Sequence, residues 1–282
     1  MGEPSREFDA LWKARDVEAA YSHWTRDQPE NQIQLAFRNH WQLFREIMGS
    51  DFKGRRVLEL GCGRGTISAY FADARFDCTL MDISPTVIEL ACKTYALHRL
   101  PAKFQVGDAY NTGLPDCSFD IVVSIGLLEH LEDLSRALAE QVRLLDTDGL
   151  LLAYVVPENP KNVQKDFRFI CEILALYDRW VNGPSSSPAK QDVYRSSDGS
   201  KRYLELLAEL PMRDVNASGV YPLPMISPSV AFPFTLMPTP MESILVRHLE
   251  EVLAERARAT GRNPWLCEEN FGQAFLVWGW RV

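Results

Sequence analysis

Val57-Leu58-Glu59-Leu60-Gly61-Cys62-Gly63-Arg64-Gly65-Thr66 decides how this chain is read. An apolar run carries one acidic residue near its end. Three glycines follow at alternate positions, and Thr66 to Ala72 reads as a helix. Strand, glycine turn and helix in that order open a nucleotide-binding α/β unit. Glycine is needed because the backbone must turn tightly, take φ > 0 in places and let a ligand lie against bare main chain. The helix start at Thr66 adds unpaired N–H groups suited to a polar or anionic part of that ligand.

Spacing separates one nucleotide from another. A dinucleotide fingerprint, G-x-G-x-x-G, counted from Gly61 needs glycine at position 66. Here that position is Thr66, the third glycine is Gly65, and Glu59 stands two residues ahead of the first. Glu-x-Gly-x-Gly-x-Gly resembles motif I of the class I S-adenosyl-L-methionine (SAM) dependent methyltransferases. The resemblance implies that Gly61, Gly63 and Gly65 cradle the methionine part of SAM, with Glu59 positioning the loop.

Composition sets the outer bounds. The 282 residues are 46% hydrophobic and 24% charged, ordinary for a soluble globular chain of one large α/β domain or at most two. A formal charge of -8 argues against a nucleic-acid partner, which needs a basic stripe. The six cysteines (Cys62, Cys78, Cys92, Cys117, Cys171, Cys267) hold no C-x-x-C pair, so neither a zinc site nor a disulfide framework is expected. Met1 to Ala10 lacks an apolar core and no run of 18 apolar residues occurs, so neither a signal peptide nor a spanning segment is expected. The cytoplasm is the expected location.

Residues 1–50 read as helical, with Leu35, Phe37, Trp41, Leu43, Phe44 and Ile47 at mostly helical spacings. They form an amphipathic cap. In many small-molecule methyltransferases a Tyr/Trp segment of this kind folds over the cofactor, which makes Tyr21 and Trp24 candidates. Phe76–Asp82 reads as the second strand. An acidic side chain at that strand's end holds the ribose hydroxyls in folds of this class, so Asp82 is the ribose ligand, or else a turn or cap residue before Ile83-Ser84-Pro85. A helix over Ser84–Leu97 leads to a third strand, Lys103–Val106, followed by Gly107-Asp108-Ala109. The family places an acidic and then a small residue here against the adenine, and Asp108 and Ala109 match; a Gly-Asp turn is the alternative. Ile83 and Ile125, beside these strand ends, complete the implied cofactor set.

Ile121–Ile125 reads as the fourth strand, and Gly126-Leu127-Leu128-Glu129-His130-Leu131 follows. Leu-Glu-His-Leu at this place resembles the ubiquinone/menaquinone-biosynthesis-like (type 11) small-molecule branch of the family. Ligands bind at the carboxyl end of a parallel sheet, so the resemblance places these residues beside the transferable methyl. His130 is a general base or a packed histidine that shapes the pocket, since methyl transfer often needs no base. Glu129 is a base or an acid at a helix N-terminus. A helix over Leu134–Leu145, a turn at Asp146–Gly149 and a strand over Leu150–Val156 complete a parallel core.

The second half is less regular. A helix is expected over Asp166–Trp180, then a Ser/Pro-rich linker at Gly183–Pro188. The helix Lys201–Leu210 and strand Asp214–Tyr221 resemble the family's last helix and sixth strand. From Val215 to Met241 there is no charged residue, and six prolines punctuate the end of the stretch. Proline at that density forbids a helix or a central strand, leaving a stiff apolar loop. Its cover is the protein's own core, a subunit interface such as a homodimer, the wall of an apolar pocket, or a membrane surface. A helix over Met241–Ala259 carries a buried stripe, and Gln273–Arg281 resembles the family's seventh strand.

The chain therefore divides into a helical cap (1–50), a SAM-binding Rossmann-like core (51–156), a lid insertion (157–199), a core continuation (200–222), an apolar loop and helix of the substrate cap (223–267) and a terminal core strand (268–282). The fold is α/β, a doubly wound, seven-stranded, mostly parallel sheet. The expected activity moves the sulfonium methyl of SAM to a small, partly apolar or aromatic acceptor. A protein or RNA methyltransferase and a non-catalytic SAM-binding partner subunit are the alternatives. No metal is expected.

Overall fold

The structure, a computed structural model, describes residues 23–158, 168–182, 194–223, 226, 236–272 and 274–282. Tyr21, the Gly183–Pro188 linker and most of the apolar loop lie outside them. The order of elements is α1 (Gln32–Met48), β1 (Arg56–Leu60), α2 (Thr66–Asp73), β2 (Asp77–Asp82), α3 (Pro85–His98), β3 (Lys103–Val106), β4 (Phe119–Ile125), a single 3-10 turn (Leu128–His130), α4 (Leu134–Leu144) and β5 (Leu145–Val155). There follow α5 (Arg168–Asn182), α6 (Ser200–Ala208), β6 (Met212–Val220), α7 (Thr239–Thr260), β7 (Leu266–Cys267) and β8 (Ala274–Arg281).

One sheet runs β3-β2-β1-β4-β5-β8-β6-β7. The first five strands are parallel, and β8 enters antiparallel between β5 and β6. Val57 and Leu58 point to opposite faces, and both are wholly buried. That is why β1 reads as an unbroken apolar run instead of an alternation. Val57, Ile121 and Val123 pack with Leu43, Phe44, Phe71 and Leu249 on one face. Leu58, Val122 and Leu151 pack with Leu138, Tyr203 and Leu206 on the other. Helices thus cover both faces, as the repeated β-α pattern demands.

Two expectations need correction. The sheet has eight strands where seven were expected, because Leu266–Cys267 adds a two-residue edge strand opposite Gly219–Val220. The residues of the expected Asp146–Gly149 turn belong instead to β5. They bulge between the pairs Phe119↔Leu145 and Ile121↔Leu150, and Asp148 takes φ 57°. Asp146 there takes an ion pair from Arg56 at 2.6 Å, which holds the bulge against β1.

Polar contacts of long sequence range fasten α1 to the rest. The buried carboxylate of Glu242 on α7 accepts the amides of Gln32 (3.0 Å) and Met237 (3.1 Å). The Gln32 side chain donates to the Ile226 carbonyl at 2.8 Å, so α1 grips the backbone of the apolar loop. Trp265 Nε1–H donates to His40 at 3.1 Å.

Gly65 caps α2 in the left-handed conformation (φ 69°). A Cβ there would meet Leu80 Cδ2 at 2.3 Å and Tyr95 Cε2 at 2.9 Å, both in the core. Left-handed strain and overpacking together put the cost of Gly65→Ala at about 2–4 kcal/mol. Urea unfolding checks this: a clear drop in midpoint is expected, and an unchanged midpoint would contradict the close packing.

Candidate active site

The site is built where β1, β2, β3 and β4 end. Gly61, Gly63 and Gly65 all take positive φ (62°, 52° and 69°), which a side chain resists and glycine does not. Cys62 N–H donates to the Met81 carbonyl (3.0 Å) and Gly65 N–H to the Cys62 carbonyl (2.7 Å), closing the turn against β2. A Cβ on Gly61 would lie 2.8 Å from Leu127 Cδ1, so the turn also abuts the segment after β4.

Glu59 lies beneath this turn. Its side chain is buried, and Oε2 accepts the Ser68 amide at 3.2 Å. Gly65 offers α2 no side-chain cap, and Glu59 satisfies one of the helix's first amides from the neighbouring strand. Burial pushes its carboxyl up to about 8, against the opposing pull of the Ser68 bonds.

Asp82 closes β2. One carboxylate oxygen accepts Gly63 N–H (3.1 Å) and the other Ser84 N–H (3.0 Å). The two readings of Asp82 therefore coincide in space: it is a turn residue and it faces the glycine loop. Each oxygen keeps further lone-pair capacity. Burial raises its pKa, and the amide bonds lower it. Gly107 N–H donates to the Asp82 carbonyl at 3.0 Å, which sets Asp108 and Ala109 at the adjoining strand end. Asp108 is exposed, with Oδ1 accepting Tyr110 N–H at 2.9 Å, and its other oxygen has no partner among the described residues. Ile83 is exposed and Ile125 half-buried at neighbouring strand ends.

After β4 the 3-10 turn presents Glu129 and His130. Glu129 is 1% exposed, with Oε1 accepting Val156 N–H at 3.2 Å. Its carboxyl serves the end of β5 rather than the start of α4, which Asp133 caps through Arg136 N–H (3.1 Å). Glu129 Oε2 is buried with no hydrogen-bond partner among the described residues. Burial pushes this carboxyl up to about 7. His130 Nδ1 lies 2.7 Å from the Tyr194 carbonyl, and since a carbonyl only accepts, Nδ1 carries the proton. Nε2 stands 4.0 Å from Glu129 Oε1. Burial lowers the pKa of His130 against the raising effect of its bond to Tyr194, and the charge of Arg195 adds to the lowering.

Residues 58–153 match the family described as "Methyltransferase domain". They are a methyltransferase domain. Ajmaline N-methyltransferase of Rauvolfia serpentina is 38% identical over 104 residues, 36% of this chain and 35% of that enzyme. Ubiquinone biosynthesis O-methyltransferase of Xanthomonas oryzae is 31% identical over 146 residues, 49% of this chain and 57% of the relative. The matches thus span well under two thirds of these relatives' own lengths. A solved SAM-dependent methyltransferase from Thermotoga maritima superposes with TM-score 0.52 at 14% identity, covering 98% of this chain and 96% of that one, a likeness of fold.

The cofactor of the methyltransferase domain is S-adenosyl-L-methionine. The donor set fits it: three glycines of positive φ leave bare backbone for the methionine part, and two carboxylates end adjacent strands. Trp24 is 6% exposed, edge-on to His98 (5.1 Å) and Tyr70 (6.3 Å), and with His23 lines a small cavity against Arg64, Gly65 and Thr66 of the glycine turn. Tyr194–Ser196, inside the expected lid insertion, touches the turn at Glu129 and His130, and the sequence reading named none of its residues as part of the site.

A buried acid with a raised pKa lends stability below its unfolded value near 4.5, and loses that advantage as pH climbs through about 8. Glu59→Gln should therefore gain on the parent by a few kcal/mol between about pH 5 and pH 8.5. Thermal melts across that range check it; parallel curves would contradict a buried, protonated Glu59.

Proposed function

We propose that the whole chain is a SAM-dependent methyltransferase acting on a small, partly apolar or aromatic molecule. The observation that supports this is that the glycine turn, Asp82, Asp108 and the Glu129–His130 turn stand at the carboxyl ends of four adjacent parallel strands, with Asp82 bonded to Gly63 and Leu127 against Gly61. The acidic net charge and the uncharged stretch before Met241 support a small acceptor over a nucleic acid. The relatives' names support it too, one an N-methyltransferase of ajmaline and one an O-methyltransferase of ubiquinone biosynthesis.

In this reading Gly61, Gly63 and Gly65 carry the methionine part, with Glu59 bracing the turn. Asp82 accepts from the ribose hydroxyls, and Asp108 with Ala109 receives the adenine. Ile83 and Ile125 give apolar contact, and Tyr21 closes over the nucleoside from the cap. Bound SAM supplies a methyl on a sulfonium that is already a good leaving group. What the chain contributes is alignment and exclusion of water. His130, held as the Nδ1–H tautomer, offers Nε2 as the nitrogen that takes a proton from the acceptor, and the Glu129 carboxyl beside it steadies the imidazolium so formed. The segments 1–50, 157–199 and 223–267 serve as the cap and walls of the acceptor pocket, and the apolar wall is the face through which a homodimer would form.

Asp82→Ala should weaken SAM binding by about 2–4 kcal/mol, roughly 30- to 1,000-fold, in a chain whose circular dichroism is unchanged. Unaltered affinity by calorimetry would remove the ribose role. His130→Ala should cost about 10²–10⁴ in turnover with SAM affinity nearly intact, measured with methyl-labelled SAM and a small-molecule extract. Equal turnover would leave His130 as packing alone.

A further inference from the structure

The segment from Tyr194 to Ser200 is stitched across the carboxyl edge of the sheet. Ser196 N–H donates to the Glu129 carbonyl at 2.7 Å, and the Ser196 carbonyl accepts Glu158 N–H at 2.8 Å. The Tyr194 carbonyl accepts His130 Nδ1–H at 2.7 Å. Ser200 N–H donates to Glu269 Oε1 at 2.8 Å, which fixes the far end. Arg195 lies between the two residues that touch the Glu129–His130 turn, so its place relative to that turn is set on both sides.

Arg195 is half-buried and makes no hydrogen bond or ion pair among the described residues. That is unusual. Other half-exposed arginines of the chain are engaged: Arg56 with Asp120 and Asp146, Arg143 with Glu140, Arg213 with Asp148. A guanidinium without a hydrogen-bonded partner leaves its planar fork available, and that fork matches a carboxylate or phosphate. Glu129 feels that charge but does not bond it. Its Oε1 is taken by Val156 and its Oε2 is buried with no hydrogen-bond partner among the described residues; the Arg195 charge lowers its pKa, but burial outweighs that pull and pushes the carboxyl up to about 7. Among the described residues, a cation without a hydrogen-bonded partner and a buried acceptor oxygen without one therefore border the position where the methyl acceptor is read to lie.

We propose that Arg195 recognises the acceptor, its guanidinium taking a carboxylate or phosphate group while the nucleophilic atom lies at the Glu129–His130 turn. The inference rests on the methyltransferase reading of that turn and deepens it: the acceptor is a small anion, with its charge set to one side of the atom that is methylated. Arg195 is a specificity residue and takes no part in moving the methyl. The strap that carries it also fixes the His130 tautomer, so acceptor recognition and proton acceptance share one support.

The test uses the full chain saturated with S-adenosylhomocysteine and three probes of similar shape, benzoate, phenyl phosphate and benzamide, titrated by calorimetry or ligand-observed NMR. At least one anion should bind about tenfold or more tightly than neutral benzamide. Benzoate against phenyl phosphate tells which group the fork prefers. Arg195→Met should abolish the preference and Arg195→Lys keep part of it, with affinity for S-adenosylhomocysteine unchanged in both. Equal binding of the three probes, binding of none, or a preference that survives Arg195→Met overturns the proposal. Failure of the parent chain to bind S-adenosylhomocysteine would instead sink the cofactor reading, and this proposal with it.

Discussion

A carboxyl on a strand holding an amide of the next helix is the contact on which the rest of the site depends. Glu59 reaches under the glycine turn to Ser68, supplying from β1 the cap that Gly65 cannot give. Because the cap comes from outside the helix, the turn itself stays bare and its backbone is left for a ligand. The same arrangement requires Gly65 to be left-handed and to admit Leu80 and Tyr95 at close range. It also buries an acid, which raises its pKa. Turn shape, helix start and local electrostatics are thus consequences of one bond.

From that turn the crevice is assembled by strand order. In β3-β2-β1-β4 the neighbours of β1 are the strands that end in Asp82 and in the Glu129–His130 turn. Asp82 ties to Gly63, and Leu127 abuts Gly61, so both flanks are fixed to the centre. What distinguishes one member of such a fold from another lies in the segments laid over the edge. In this chain the strap that carries Arg195 is such a segment, while α1 packs on one face of the sheet and ties to Ile226 and Glu242 through Gln32.

Much of the fold was legible because its signals are local. Val57–Leu60 is apolar on both faces, the glycine spacing is read directly, and Asp82 and Asp108 follow their strands within a residue or two. Features settled by distant pairing were not. The two-residue β7 exists only because Gly219–Val220 offers it an edge. Asp146–Gly149 has turn chemistry, yet the register between β4 and β5 absorbs it as a bulge. Trp24 carries an aromatic signal that fits either a lid or a core, and its contacts with Tyr70 and His98 beside the glycine turn are set by residues far along the chain. Arg195 sits in a stretch without motif or periodicity. Its importance comes from where the strap lands, which no local pattern encodes.

The most direct measurement is a crystal structure of the chain grown with S-adenosylhomocysteine. The account predicts a nucleoside lying across the carboxyl edge, with its amino-acid part on the backbone of Gly61 to Gly65, its ribose on Asp82 and its base beside Asp108. A crevice closed by side chains, or the nucleoside bound elsewhere on the chain, would contradict it.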